Sequence, residues 1–285
     1  MDTTPAKAMG AKAESFTLEA PQEAAANAPR DSLHINDFSN CLNIAQGAVF
    51  IIASGSSAKD FPIERFANVP MITMNGAISM FAHTNIRPFF YACTDTSFPL
   101  QQPELFAQAM QLSQRVALWE DELDALPAKP CGEVFALKKA PDLSLLKSLF
   151  THEPQLVRSR TFWNKRARSL GFSKDLSHGF FDARTVAYLA LQMAYHLGFN
   201  NVFLVGVDLN QNAGRFYENG TIALSPCGLD QHFESRILPS LQLMADRVIG
   251  ERFSVYNLSS TSRIPASVIP KVSLEEVEKI LHLQR

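Results

Sequence analysis

Cysteine is scarce in this chain. The 285 residues hold four, Cys41, Cys93, Cys131 and Cys227, with no CxxC or CxxH spacing among them. That pattern argues against a zinc site, and a disulfide framework is not expected at this length. A reducing cytoplasm fits such usage. No apolar run approaches the ~18 residues of a membrane span. Neither sign of charge dominates: the formal net charge is -2 with 19% charged residues, which gives no argument for nucleic acid. The GxxxxGK[ST] phosphate loop and the GxGxxG dinucleotide fingerprint are both missing, so ATP hydrolysis and hydride transfer are disfavoured. There is no DxD motif. A nucleotide-sugar enzyme built on this chain would hold its leaving phosphate with hydroxyls, amides and cations in place of a carboxylate-bound metal. Repeats are not visible.

What is present suits a large core: 46% of residues are hydrophobic, including 21 Phe. Residues 1–32, rich in Ala, Pro and Glu, lack the apolar centre of a signal peptide and read as a disordered tail. Residues 33–285 read as one α/β domain, with a lid-like insertion over about 143–181. Within it "VRSRTFWNKRARS" sets Arg158, Arg160, Lys165, Arg166 and Arg168 around Phe162 and Trp163. That run is either a solvated basic helix face or a cover for an anionic ligand.

Short apolar runs read as buried strands at "AVFIIA", "PMITM", "RPFFYAC", "EVFALKK", "VFLVGV" and "FSVYNLSS". The spacing of Leu105, Ala109, Leu112 and Val116 predicts a helix between Pro103 and Trp119. "DARTVAYLALQMAYHLGF" predicts another, with Asp182 as N-cap and Gly198 at the C′ position. "ESRILPSLQLMADRVI" and "SLEEVEKILHL", the latter capped by Ser273, complete the helical set. Helix followed at once by a buried strand is half of a βαβ unit, so a parallel sheet follows. Four strands end in small or polar residues: Ser54–Gly55, Asn75–Gly76, Thr94–Asp95 and Asp208. Open α/β sheets bind ligands at such carboxyl ends. Each residue also has a plainer reading: a tight turn at Ser54–Gly55–Ser56, an Asn-Gly turn at Asn75, loop caps at Asp95 and Asp208. His232, in "GLDQHFESR", is either a proton acceptor near neutral pH or a surface histidine. His178 is the weaker candidate for that role.

In order, "FIIASGSSAKDF", "ITMNG", "ACTDTSF", "TVAYLALQMAYHLGFNNVFLVGVDLNQN", a downstream His and "YNLSSTSRIP" resemble a bacterial glycosyltransferase clan. The clan includes CMP-sialic-acid sialyltransferases of lipooligosaccharide and lipopolysaccharide-core transferases of Kdo (3-deoxy-manno-octulosonic acid). The resemblance implies a Rossmann-like doubly wound, mostly parallel sheet with a small helical lid region. It implies nucleotide contacts at Ser54, Gly55, Ser56, Asn75, Thr94, Asp95, Arg184, Thr185, Asp208 and Asn210. Tyr217 would hold the leaving phosphate, and His232 would be the base of a single in-line displacement. Ser54 stands where the sialyltransferases have asparagine, and Val186 and Ala187 follow Thr185 in place of Ser-Gly. A CMP-sugar would be the donor substrate, with no metal and no further cofactor. An arginine to meet the sugar carboxylate is expected among Arg158, Arg160, Arg184 and Arg263.

The acceptor implied is a glycolipid or lipopolysaccharide core, with cytoplasmic location. Peripheral contact with the inner membrane and a homo-oligomer are left open. Two other functions compete. A related family with the same helix–strand–GVD signature contains an Mg²⁺-dependent pterin pyrophosphokinase, in which Asp95 and Asp208 would be metal ligands. A nucleotide-binding module without catalysis would also tolerate the departures at contact positions.

Overall fold

The computed structural model describes residues 33–142, 153–159, 168–210, 214–218 and 228–283. The expected N-terminal tail and most of the basic-aromatic run, including Arg160, lie outside the described residues. From His34 onward the chain clusters as one unit.

Ten strands are present among the described residues: β1 Ile35–Asn36, β2 Ala48–Ile52, β3 Met71–Met74, β4 Phe90–Ala92, β5 Arg115–Trp119, β6 Glu133–Leu137, β7 Leu156–Arg158, β8 Gly171–Ser173, β9 Asn201–Val205 and β10 Ser254–Asn257. Eight form one sheet in the order β1-β6-β5-β4-β3-β2-β9-β10, and every pairing in it is parallel. β2 and β3 are buried along their whole length, as strands with both faces covered must be. On one face Val49, Ile51, Ile72, Phe90 and Leu204 share a core with helix α2, Val186–Leu197. On the other, Phe50 packs on Phe61, Phe66 and Phe203, and Phe203 stacks on Tyr256. The chain lays down β2 to β6 in one direction, then returns to the other side of β2 with β9 and β10. β2 and β9 therefore flank the topological switch point, where such sheets open a crevice.

Two expectations are corrected. The helix after Pro103 (α1, Pro103–Leu112) stops before Val116, which is in strand β5. Val116, Ala117 and Leu118 are consecutively buried between β4 and β6; a continuous apolar run outweighs the helical spacing. Asp182 is not the N-cap of α2. That position is Thr185, which makes no side-chain capping bond. Arg184 takes a left-handed backbone, φ 64°, so the helix cannot start earlier. Asp182 instead accepts the Arg184 N–H at 2.8 Å. Gly198 does close α2 with φ 97°. The described part of the 143–181 region holds an antiparallel pair, β7 and β8, and a 3-10 turn, Leu176–His178; residues 143–152 and 160–167 of the expected lid lie outside the described residues.

The last two expected helices form as α3, Leu238–Arg247, and α4, Leu274–His282. One α-turn, Leu229–His232, and a π-turn, Phe233–Ile237, lead into α3. Among the described residues no helix is long and apolar enough to cross a membrane.

Candidate functional site

A cavity of about 490 Å³ opens at the carboxyl ends of β2, β3, β4 and β9. Ser54 and Gly55 after β2, Asn75 after β3, Thr94 and Asp95 after β4, and Gly206 to Asn210 after β9 all line it. Arg184 and Thr185, at the start of α2, close another wall. Of the ten nucleotide-site residues expected from the sequence, all but Ser56 line this one cavity.

The β9 end is shaped by close backbone approach. Gly55 donates its N–H to the Gly206 carbonyl at 2.9 Å. A Cβ on Gly55 would come within 2.4 Å of that carbonyl oxygen and 2.6 Å of Asp208 Oδ2. Gly206 itself has φ 69°, a conformation glycine adopts without strain. Asp208, 3% exposed, is saturated from within the protein. Its Oδ2 accepts the Ser57 N–H at 3.0 Å and the Ser56 hydroxyl at 3.4 Å; its Oδ1 accepts the Ser259 hydroxyl at 2.5 Å and the Ser57 hydroxyl. The carboxylate thus ties the β2 loop and the segment after β10 to the end of β9. This is why an acid sits where that buried strand leaves the core.

Asn75 is built differently. Its φ of 44° is left-handed, and its Oδ1 is buried without a partner among the described residues. Leaving a buried acceptor unpaired costs about 1–3 kcal/mol. Four non-glycine residues have positive φ among those described, and Asn75, Arg184 and Leu209 all line the cavity. Strain of this kind collects at ligand sites. Asp95 accepts the Ser97 N–H at 3.0 Å and its hydroxyl at 2.6 Å, capping the turn after β4. The Thr94 carbonyl accepts from Trp119 Nε1 at 2.9 Å.

Tyr217 is not among the lining residues. Its ring covers Gly76, where a Cβ would meet it at 2.2 Å. Its hydroxyl accepts from Arg215 Nη1 at 3.3 Å, and that atom also pairs with Glu218 at 3.0 Å. Arg215 does line the cavity. Burial holds the Tyr217 phenol above its ordinary pKa, so it is a neutral hydrogen-bonding group at neutral pH. Burial also pushes the Cys93 thiol up to about 12, which removes it as a nucleophile.

His232 lines a second cavity, of about 460 Å³, which shares Lys139, Asp182 and Arg184 with the first. The imidazole packs beside Gly228, a residue of the first cavity's wall: a Cβ there would lie 3.3 Å from His232 Cδ2. His232 sits where the α-turn passes into the π-turn, an irregularity frequent at functional sites. Arg158 and Arg184 line this cavity, whereas Arg263 lines neither. Arg263 lies over the Phe233 ring at 3.9 Å and pairs with Asp230 at 2.5 Å. His178 lines neither cavity.

Lys139, Trp119, Asp182 and Arg236 were not singled out as site residues by their sequence setting. Lys139 follows strand β6, so the strand-end rule that found Ser54 and Asn75 would have found it. Arg236 is separated by many residues from its partners, the Ser169 hydroxyl, the Ser169 carbonyl at 3.1 Å and the Asp182 carbonyl at 2.7 Å. No local pattern announces such contacts.

Residues 138–275 match the family described as 3-deoxy-D-manno-octulosonic acid transferase WaaZ. The chain is 26% identical over 245 residues to a "Probable 3-deoxy-manno-octulosonic acid transferase" of Escherichia coli (strain K12), covering 80% of this chain and 83% of the relative. It is 25% identical over 251 residues to a protein of the same description from Salmonella typhimurium (strain LT2), covering 82% and 90%. Among solved structures, the MAf glycosyltransferase from Magnetospirillum magneticum AMB-1 aligns with TM-score 0.47 and 14% identity, over 85% of this chain and 37% of that one. The sialyltransferase CstII from Campylobacter jejuni aligns with TM-score 0.36 and 12% identity, over 75% and 81%. The family match takes in Arg184, Thr185, Asp208, Asn210, Tyr217 and His232; Ser54, Asn75, Thr94 and Asp95 lie outside it.

Proposed function

From its likeness to bacterial Kdo-transferase-like glycosyltransferases, we propose that this chain moves a 2-keto sugar acid, of Kdo or sialic-acid type, from a CMP-sugar to lipopolysaccharide or another glycan acceptor. One observation carries the reading beyond the likeness: residues from five separate segments, Ser54, Asn75, Asp95, Thr185 and Asp208, line a single cavity at the switch point of the sheet. Its size is within the range of small-ligand sites.

The proposed roles are these. Ser54 and the backbone at Gly55 face the nucleotide phosphate. Asn75 Oδ1, a buried acceptor with no partner, takes a ribose hydroxyl or a base amino group. Arg215 meets the leaving phosphate as a planar cation, and the Tyr217 hydroxyl holds that guanidinium in place. Asp208 positions the loops and does no proton transfer, since both its oxygens are engaged. His232 takes the proton of the acceptor hydroxyl while that oxygen attacks the anomeric carbon. The bond from that carbon to the phosphate oxygen breaks, and CMP leaves with the electron pair. Attack from the side opposite the leaving group inverts the anomeric centre. No metal and no further cofactor take part in this scheme; the charge on the leaving phosphate is met by arginine and by loop donors. The enzyme acts on the cytoplasmic side of the inner membrane, where CMP-sugars are available.

Thermal-shift assays with CMP, other nucleotides, and ATP with Mg²⁺ test the donor. A CMP-selective shift that persists in EDTA is expected. A shift only with ATP and Mg²⁺ would support the pyrophosphokinase reading, and no shift with any nucleotide the binding-module or wholly different one. Mass spectrometry of lipopolysaccharide from a deletion strain should show loss of one 2-keto sugar acid.

A further inference from the structure

The second cavity has a chemistry of its own. Four cations line it, Lys139, Arg158, Arg184 and Arg236, against two carboxylates, Asp142 and Asp182. Three of the cations have a partner. Arg236 is held by the Ser169 and Asp182 carbonyls, Lys139 pairs with Asp182 at 3.3 Å, and Arg158 Nη2 pairs with Glu153 at 3.4 Å and donates to the Pro141 carbonyl at 3.0 Å. Arg158 and Arg184 still have donors to spare. Arg158 lies over the Phe181 ring at 5.0 Å, and its Nε is buried with no partner among the described residues. Arg184 is exposed, is held by a left-handed backbone at the wall common to both cavities, and its guanidinium has no bond among the described residues. Phe180 and Phe181 add apolar surface, which suits the face of a sugar ring.

We infer that this second cavity is the acceptor subsite, and that it selects a sugar bearing an anionic group, carboxylate or phosphate, through Arg158 and Arg184. The inference rests on the donor reading above, because it is the first cavity that makes the second an acceptor site. The arrangement is consistent with the chemistry. His232 faces the second cavity, so the hydroxyl it deprotonates belongs to a molecule bound there. Arg158 and Arg184 would fix that molecule by its charge and leave the imidazole to the reacting hydroxyl. A neutral sugar would leave the buried Arg158 Nε unpaired and would bind less well.

Saturation-transfer NMR on the full chain, with and without CMP, tests this with three probes: methyl glucuronide, glucose 6-phosphate and methyl glucoside. At least one acidic probe should bind about tenfold or more tighter than the neutral one, the size of one charge-assisted hydrogen bond. The carboxylate and phosphate arms then tell which anion the site prefers. Arg158→Met keeps the side-chain stem over Phe181 and should abolish the preference while leaving the CMP shift intact. Arg184→Asn, in which asparagine tolerates the left-handed backbone, should reduce the preference independently. Equal binding of acidic and neutral probes, no binding of any, or a preference unchanged in both variants would overturn the inference. The CMP shift on the same samples separates the two readings. A CMP shift without an acid preference defeats this inference alone; an acid preference without a CMP shift defeats the donor assignment.

Discussion

Gly55 lines the cavity and Gly76 follows the lining residue Asn75, and substituting them should have different consequences. A methyl on Gly55 would collide with the Gly206 carbonyl, which is fixed by β9, and with Asp208, which is fixed by three serines. Gly55→Ala should therefore cost about 1–3 kcal/mol of stability, as overpacking does, and should weaken CMP binding; a urea titration and the CMP shift check both. The atoms nearest a methyl on Gly76 all belong to the Tyr217 ring, a side chain rather than fixed backbone. Gly76→Ala should thus keep the fold but lower turnover by unseating the partner of Arg215, as Tyr217→Phe should. The place of Ser54, Gly55 and Asn75 on the cavity wall was legible in the sequence because they follow apolar runs that read as parallel strands, whose carboxyl ends line such crevices. Tyr217 was singled out only through resemblance, and its place behind Arg215 depends on a contact with Gly76 that no local pattern reveals. His196 was not legible at all. It is fully buried, accepts the Leu176 N–H on Nδ1 at 3.1 Å and donates from Nε2 to the Phe38 carbonyl at 2.8 Å. Asp175 stands 3.4 Å from Nδ1 and would favour the cation. Yet Nδ1 already accepts a proton bond, and burial, the larger influence, lowers the pKa. The unfolded chain therefore binds the proton more readily. Stability from this group should be whole above about pH 6.5 and fall as the pH drops below it. Urea midpoints at pH 7.5 and 5.5 should show the loss, and His196→Gln should flatten the difference; an equal slope in both proteins would exclude the residue as its source.

Elements were read well where period and punctuation agreed. Helix α2 ends at Gly198 as its sequence demanded, and α4 begins at Ser273 with a full capping box, Ser273 N to Glu276 Oε2 at 2.7 Å and Glu276 N to Ser273 Oγ at 3.3 Å. Ser273→Ala should cost about 1 kcal/mol, measurable by thermal unfolding. The start of α2 was misread because Asp182 is a good cap by type, and only the left-handed Arg184 forbids it. β5 was misread because four apolar residues after a helix fit either period, and its neighbours β4 and β6 decide. The β7–β8 pair was unreadable for a related reason: each strand is three residues long, too short for a pattern. What fastens this pair to the sheet is distant in sequence. Gln192 on α2 accepts from the Ser173 and Phe181 amides, and Arg236 reaches back to Ser169 and Asp182. Arg236→Met should loosen this region by about 1.5–3 kcal/mol, the worth of hydrogen bonds to a charged group, and hydrogen exchange should rise first at residues 170–173.

At the scale of the whole molecule, the switch between β2 and β9 decides where chemistry can occur. Short runs buried on both faces imply a parallel sheet, so the sheet and the strand ends that line its crevice were inferable, whereas the order of its strands was not. The split into two cavities was not, because it depends on Lys139, Asp182 and Arg184 meeting across β6 and the approach to α2. That split makes a prediction about the division of labour. The residues proposed to hold the nucleotide line the first cavity and His232 lines the second, so on the proposed function binding and turnover should separate by mutation. A donor that binds only the folded chain stabilises it by about 2.7 kcal/mol at a hundred times its Kd. His232→Ala should keep nearly all of that stabilisation by CMP while turnover falls about 10²-fold or more. Ser54→Leu, which fills the first cavity beside Gly55, should lose the stabilisation, and turnover should fall with donor binding. If His232→Ala instead loses CMP binding while keeping turnover at saturating donor, the imidazole belongs to the nucleotide site and the assignment of the two cavities is reversed.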